Sequence, residues 1–437
     1  MASTYLTRTP SSTGNRKIFT ISAWIKRSKT GNNQKVITAG TAGTEGGLQF
    51  SSGTGDNCLK FYEYVGSEVI GITPNRILRD TSAWYHVVIA VDTTQATASN
   101  RVKYYLNGVQ ETSFATATYP SQNYDTLFNN SGTANTIGFL IGHSAYFDGS
   151  MSHIHFIDGT AYDATAFGEY DANGVWKIKT DVSVTYGTNG FFLLKDNNSA
   201  NDQSGNGNNF TVGGGTLTNT EDNPSNVFAT FNPLVLVWSG VTTLSNGNTT
   251  VTNPDASDGS PPTTLGATSG KYYWEMKQEN ANGVFIGVCG DGFVSDNLTN
   301  SYSGITSNAT TGLLVYNSSG DKVVNGSTSS SFFTSYGSGD IIGIAIDLDA
   351  ATRTVTFYKN GVVDSQGAQN LPTNMQSGAV FGVAIVDNSA TVSANFGNGY
   401  FGTTAVSSAG TNASGIGIFE YDVPTGFTSL STKGLNL

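Results

Sequence analysis

Two stretches of this chain repeat one pattern of apolar and polar positions. The first is Trp84-Tyr85-His86-Val87-Val88-Ile89-Ala90-Val91-Asp92, then a polar loop, then Arg101-Val102-Lys103-Tyr104-Tyr105-Leu106-Asn107-Gly108-Val109. The second is Asp340-Ile341-Ile342-Gly343-Ile344-Ala345-Ile346-Asp347, a shorter loop, then Arg353-Thr354-Val355-Thr356-Phe357-Tyr358-Lys359-Asn360-Gly361-Val362. Each is a β-branched apolar run closed by Asp, followed by an alternating strand that ends in Asn-Gly. Those two residues tolerate positive φ, so each module predicts a tight two-residue hairpin. Period-two alternation places Val102, Tyr104 and Leu106 on one face and Lys103 and Tyr105 on the other. In the second module it sets Val355 and Phe357 against Thr354, Thr356 and Tyr358.

The same period runs elsewhere. Ile18, Thr20, Ser22, Trp24 and Lys26 alternate with Phe19, Ile21, Ala23 and Ile25. Further strands are expected at 35–39, 47–51, 59–65, 137–142, 148–157 and 190–195, with one short helix around Ala164 to Tyr170. After a break at Asp222-Asn223-Pro224-Ser225, strands follow at 271–276, 284–289, 311–317, 340–347, 353–359, 379–385 and 391–396. Short strands at this spacing, without a helical period, predict an all-β chain: two antiparallel β-sandwich (jelly-roll) domains in series. The expected division is a polar N-terminal arm at 1–17, a first sandwich at 18–217, a linker at 218–234, and a second sandwich with a C-terminal extension at 235–437.

Composition sharpens this picture in three places. Charged residues make up only 12% of the 437, so Ser, Thr, Asn and 53 Gly must supply the polar surface. The 24 Phe, 20 Tyr and 5 Trp in alternating runs argue for folded cores against disorder. Net charge is −11, and no basic cluster exceeds Lys26-Arg27-Ser28-Lys29, so no nucleic-acid partner is expected. The two cysteines, Cys58 and Cys289, fall one in each half, which predicts no disulfide within a domain. No run approaches 18 apolar residues and the N-terminus lacks a secretory pattern, so the expectation is synthesis in a cytosol without membrane insertion.

The motifs resemble two known families. Phe19 to Ile25, Ala83-Trp84-Tyr85-His86-Val87-Val88, Tyr105-Leu106-Asn107-Gly108 and Phe147-Asp148-Gly149 resemble the concanavalin A-like, laminin-G-type lectin sandwich. Gly270-Lys271-Tyr272-Tyr273-Trp274-Glu275, Val284-Phe285-Ile286-Gly287-Val288 and Gly339 through Gly361 resemble a SPRY domain. The joined arrangement, with the start Met1-Ala2-Ser3-Thr4-Tyr5-Leu6 and the ending Asp422-Val423-Pro424-Thr425-Gly426-Phe427, resembles virion proteins of tailed phages, especially marine ones. That resemblance implies a fibre, appendage or capsid decoration on the virion surface, made in the host cytoplasm. Its implied partners are other virion proteins of capsid or tail and a host cell-surface glycan or protein; a homo-oligomer is allowed. If the SPRY-like half binds something, the resemblance places the site on loops at one end, with Asp291, Phe293, Tyr302 and Tyr316 as candidates.

Catalysis is not expected. Retaining glycosidases need two carboxyl groups about 5–5.5 Å apart. Only Glu169-Tyr170-Asp171 and Glu420-Tyr421-Asp422 begin a suitable motif, and neither continues with a further acid. The four histidines are His86, His143, His153 and His155; His153 and His155 should share a strand face, yet no Cys or acid at ligand spacing joins them. No cofactor or metal site is assigned. Calcium is the one cofactor weighed, on loop oxygens of Asp56-Asn57, Asp148 and Asp196-Asn197-Asn198, against the reading that these are turn formers. Three functions are thus ordered: host attachment through lectin-like loops, a cement protein docked through the polar arm or a sandwich edge, and, last, a polysaccharide-degrading enzyme.

Overall fold

The computed structural model describes residues 3–31, 33–51, 57–195, 199–235, 242–254, 259–280, 283–294 and 312–437. The chain divides into two compact units, Met1–Asn219 with Asn223–Ser225, and Thr220–Asp222 with Asn226–Leu437. Both are built from antiparallel sheets, apart from the parallel pairing of Thr428–Ser429 with Tyr272 and Tyr273, and each sheet draws its strands from one unit only.

The first unit packs two sheets face to face. One has six strands in the order Phe191–Leu193, Gly149–Asp158, Ile18–Arg27, Trp84–Asp92, Val102–Leu106 and Val109–Gln110. The other has eight, in the order Phe114–Thr118, Glu68–Pro74, Leu59–Val65, Thr44–Phe50, Gln34–Thr41, Asn135–Ile137, Tyr5–Arg8 and Thr211–Gly213. The alternation seen along the chain sets their register. Phe19, Ile21, Ala23 and Ile25 enter the core together with Val87, Ile89 and Val91 and with Val102, Tyr104 and Leu106. Each removes apolar surface from water, worth about 1.5–3 kcal/mol for a fully buried large aliphatic or Phe side chain. Asn107 (φ 47°) and Gly108 (φ 82°) form the expected positive-φ turn. Gly108 is needed for a second reason: a Cβ there would stand 2.4 Å from the Trp176 ring.

The second unit repeats the plan with sheets of nine and six strands. The larger runs Thr243–Ser245, Thr250–Asn253, Ala390–Asn395, Lys271–Gln278, Ile341–Asp347, Thr354–Lys359 and Val362–Val363, with Gln369–Asn370 and Thr428–Ser429 joined beside it. The smaller runs Pro262–Ala267, Val380–Val386, Val284–Gly290, Leu313–Asn317, Lys322–Val324 and Ser327–Ser329. Trp274, Ile344, Val355 and Phe357 lie in the core, and Asn360 (φ 49°) and Gly361 (φ 79°) turn the second hairpin.

Three expectations need correction. The supposed arm at 1–17 contains a strand: Tyr5–Arg8 is bonded on one side to Asn135–Ile137 and on the other to Thr211–Gly213, with Leu6 in the core. One apolar residue in four is too little for a period to declare itself. The supposed linker at 218–234 contributes Phe228, Ala229 and Phe231 to the second core, because isolated aromatics in a polar run fill it without alternating. The expected helix is a 3-10 turn at Ala164–Ala166, capped by Asp163, whose side chain accepts from the Thr165 N–H; a strand follows at Gly168–Tyr170.

Candidate functional site

At one end of the second unit, the strand Val284–Gly290 runs into helical residues at 291–294. Asp291 among them is exposed. It abuts Gly378 (φ 75°), where an added Cβ would come within 2.6 Å of its Oδ2. Arg353 ties the neighbouring loops together, donating from Nη1 to the carbonyls of Met375 (3.2 Å) and Gly378 (2.9 Å) and from Nη2 to that of Thr268 (2.5 Å). The Asn325 Nδ2 reaches Asn374 Oδ1 at 3.4 Å, and its carbonyl accepts from the Leu313 N–H at 2.9 Å. The result, among the described residues, is a rim of amide and carbonyl groups with the exposed Asp291 carboxylate.

Two of the candidate aromatics do not reach that rim. Phe293 is 2% exposed and packs among Cys289, Leu313, Val315, Val323, Val383 and Ile385. Tyr316 is 1% exposed and lies in the main core, 4.7 Å from the Phe333 ring and 4.8 Å from that of Tyr336. Strand parity decides this, since Leu314 and Tyr316 face inward while Leu313 and Val315 face the other way. Tyr302 lies outside the described residues. Burial, followed by the charge of Asp291, pushes the Cys289 thiol well up, so it is no nucleophile.

In the first unit the loop end is organised by a buried cation. Arg27 donates from Nη1 to Asn57 Oδ1 (3.0 Å) and the Leu78 carbonyl (2.8 Å), and from Nη2 to the Gly31 carbonyl (2.8 Å). Its guanidinium carbon stands 3.8 Å from the centre of the Phe50 ring. Burial lowers its pKa to about 10. The Asn57 carbonyl, weighed above for calcium, also accepts from the Gly31 N–H (2.8 Å) and is committed to holding these loops. Asp148 is largely buried, which raises its pKa, while Asp56 and 196–198 lie outside the described residues. Among the described residues no group of three or more His, Cys, Asp or Glu is placed to hold a metal ion.

Three of the four histidines, His86, His153 and His155, lie on strands of the six-stranded sheet, while His143 stands in a turn outside it. The Trp176 Nε1–H donates to His86 Nδ1 (3.0 Å), so the imidazole proton resides on Nε2 and is donated to Ser22 Oγ, 2.9 Å away. That polarity is the reverse of a base activating a serine. His86 is fully buried between Trp24 and Trp176, and burial, then the nearby His153, holds its pKa down to about 3. His155 bonds the Tyr186 hydroxyl (2.8 Å) and stacks on Phe192 (3.9 Å). His153 (φ 48°) sits where the register slips between Ser152 and His155. Both rings therefore reach Phe192 through a bulge and not by simple alternation. The partial acid motifs are equally consumed. Asp171 Oδ1 accepts from the Asn173 and Val175 N–H groups, and Asp422 Oδ1 from the Thr411 N–H and hydroxyl.

Two known family models match parts of this chain. Residues 2–165 match the family model for the concanavalin A-like lectin/glucanases superfamily, and residues 271–399 match that for the SPRY domain. A stretch similar to concanavalin A-like domains is thus followed by one similar to SPRY domains. No curated protein sequence matches it. Among solved structures, the SPRY domain of human HERC1 is 20% identical, covering 38% of this chain and 96% of that one, with a TM-score of 0.29. The TRIM65 PSpry domain is 16% identical over 38% of this chain and 88% of that one, with a TM-score of 0.28. Domain 4 of AbnA, a GH43 extracellular arabinanase from Geobacillus stearothermophilus solved in complex with arabinotriose, is 15% identical over 34% and 64%, with a TM-score of 0.27.

Domains of these two kinds are typically non-catalytic and suggest binding or protein-interaction roles. In the stretch matched to the SPRY model, the described part of the rim offers hydrogen-bond donors, acceptors and the Asp291 carboxylate. In the lectin-like domain, the buried polar groups hold loops and the outer face in place. One notable group escaped sequence reasoning. Glu275 Oε1 accepts from the Tyr273 hydroxyl (3.1 Å) and the Tyr421 N–H (2.9 Å), and Oε2 from the Glu420 N–H (2.9 Å) and Asn395 Nδ2 (3.3 Å). Burial raises its pKa to about 7 despite these bonds. A Glu among aromatics in Tyr272-Tyr273-Trp274-Glu275 gave a signal of sorts, but three of its four partners, Asn395, Glu420 and Tyr421, lie more than a hundred residues away.

Proposed function

We propose that this chain is a non-catalytic virion surface protein of a tailed phage, a fibre, appendage or capsid decoration, that presents the loop ends of its two sandwiches to a host cell-surface glycan or protein. The observation that carries the reading is the disposition of polar groups. His86, His155 and Glu275 are buried against fixed partners, whereas Asp291 is exposed beside the loops that Arg353 ties together. The pairing of a lectin-like with a SPRY domain supports a binding role. The phage assignment leans on the resemblance of the two-domain arrangement and its terminal stretches. Repeated weak contacts gain avidity when many copies share one particle.

The rival reading, a cement protein docked by its polar arm or by a sandwich edge, loses support for the first route, because Tyr5–Arg8 is bonded on both sides within its own sheet, and keeps the second. Purified chain on a multivalent scaffold should bind host cells and compete with phage adsorption, and antibody against it should label intact particles. Unlabelled particles would overturn the virion assignment. Labelled particles with no binding or competition would leave the cement role in its place.

A further inference from the structure

We propose that Phe114–Thr118 is a self-pairing edge, along which two copies of this chain join antiparallel and continue the eight-stranded sheet from one copy into the next. This strand ends the sheet, bonded to Glu68–Pro74 on one side and to no described strand on the other. Ala115, Thr116, Ala117 and Thr118 are all exposed, on both faces of the strand. An open edge is a template for another strand, and folded proteins blunt such edges with charge, proline, shortness or cover.

Most other sheet ends in the described residues are blunted. Thr211–Gly213, Phe191–Leu193, Thr243–Ser245 and Ser327–Ser329 are three residues long, and Val109–Gln110 and Val362–Val363 are two. Pro262–Ala267 is longer but covered, with the Asn232 N–H on the Pro262 carbonyl (2.8 Å) and the Thr264 N–H on that of Thr230 (2.7 Å). Phe114–Thr118 has five residues, no charge from Ser113 to Tyr124, and no proline before Pro120. The bulge between Phe114 and Thr116 lies at one end and leaves Thr116, Ala117 and Thr118 in even register.

A second copy is the occupant that the charges favour. About a two-fold axis at Ala117, Thr116 meets Thr118 and Ala117 meets Ala117, so no like charges oppose one another. The flanking field is also permissive. Residues 1–219 hold 15 Lys and Arg against 16 Asp and Glu, while residues 220–437 hold 6 against 16. Two first units can approach without the repulsion that two second units would feel.

Sedimentation of the full chain over a wide concentration range tests this. The expected result is a reversible dimer in which amide exchange at 115–118 slows as concentration rises. Ala117→Lys should weaken that dimer by about tenfold or more by setting two ammonium groups opposite each other. At concentrations where both proteins are monomeric its unfolding midpoint should be unchanged, since the position is exposed. A chain monomeric at every concentration overturns the proposal, as does a dimer that Ala117→Lys leaves intact or whose 115–118 amides exchange as in the monomer.

Discussion

Each domain covers the outer face of one sheet with a strap of its own chain, and the two straps are held by opposite chemistry. In the lectin-like domain, residues 160–186 lay Ala164, Phe167 and Trp176 over Val88, Tyr105 and Ile157. The polar groups beneath are neutral imidazoles whose partners supply both a donor and an acceptor. In the SPRY domain the C-terminal stretch lays Phe419 and Val423 over Tyr273 and Ala345. There the polar group is a carboxyl whose four bonded neighbours are all donors. Around it stand Tyr273, Tyr358 and Tyr421, the Glu420 backbone, Asn395, and Gly343 directly opposite, none of them cationic. A neutral group with complementary partners loses little on burial. A carboxylate without a counter-charge keeps much of its desolvation cost, however many N–H groups it gathers.

The largest effect expected from this contrast is on Glu275. Glu275→Ala leaves the N–H groups of Glu420 and Tyr421 and the side chains of Tyr273 and Asn395 without their acceptor, and should cost the SPRY domain about 4 kcal/mol. A urea titration with a probe in each domain measures it, and the lectin-like midpoint should not move. Next comes pH. The Glu275 pKa rises from 4.5 to about 7 on folding, so its contribution is fully present below pH 4.5 and lost as pH rises through about 7. The loss should be at most about 3 kcal/mol, and Glu275→Gln should flatten the profile.

His86 acts in the other direction. Its pKa falls from 6.5 to about 3 on folding, so its contribution is present above pH 6.5 and lost as pH falls toward 3. Acid should therefore weaken the lectin-like domain over the range in which it strengthens the SPRY domain. Glu63, raised by burial to about 6, trims that difference between pH 4.5 and 6. Thermal melts of the chain at several pH values, followed domain by domain, would break the comparison if both midpoints moved together.

A smaller effect is expected from Trp176→Phe, which removes the donor to His86 Nδ1 while keeping most of the ring. It should lower lectin-like stability by about 1–2 kcal/mol, and calorimetry should find the SPRY transition unmoved. Smallest is Asp291→Ala. As an exposed residue it should change stability by less than about 0.5 kcal/mol, so that any loss of host binding in this variant belongs to the rim and not to the fold.

Much of the fold was legible because it rests on local rules. The Asn-Gly pairs at 107–108 and 360–361 announced their turns, since few residue pairs tolerate two successive positive φ angles. The alternation from Ile18 to Lys26 sorted core from outer face correctly. The same rules failed at Tyr5–Arg8 and at Phe228 and Phe231, where one or two apolar residues enter a core without a period. The candidate site was less legible. Phe293 falls between predicted strands and Tyr316 at the end of one, yet the first packs onto a sheet face and the second takes the inward parity of its strand.

What the amino-acid order determined alone was the period of the strands, the places where the chain must turn, and hence two sandwiches with aromatic cores. These depend on neighbours within a few residues. Tertiary structure decided which polar side chains became internal fittings and which stayed free. His86 found its donor at Trp176, Glu275 its donors at Glu420 and Tyr421, and Arg27 its acceptors at Asn57 and Leu78. Such pairings join segments far apart in the chain through burial and hydrogen-bond complementarity, which no local pattern encodes.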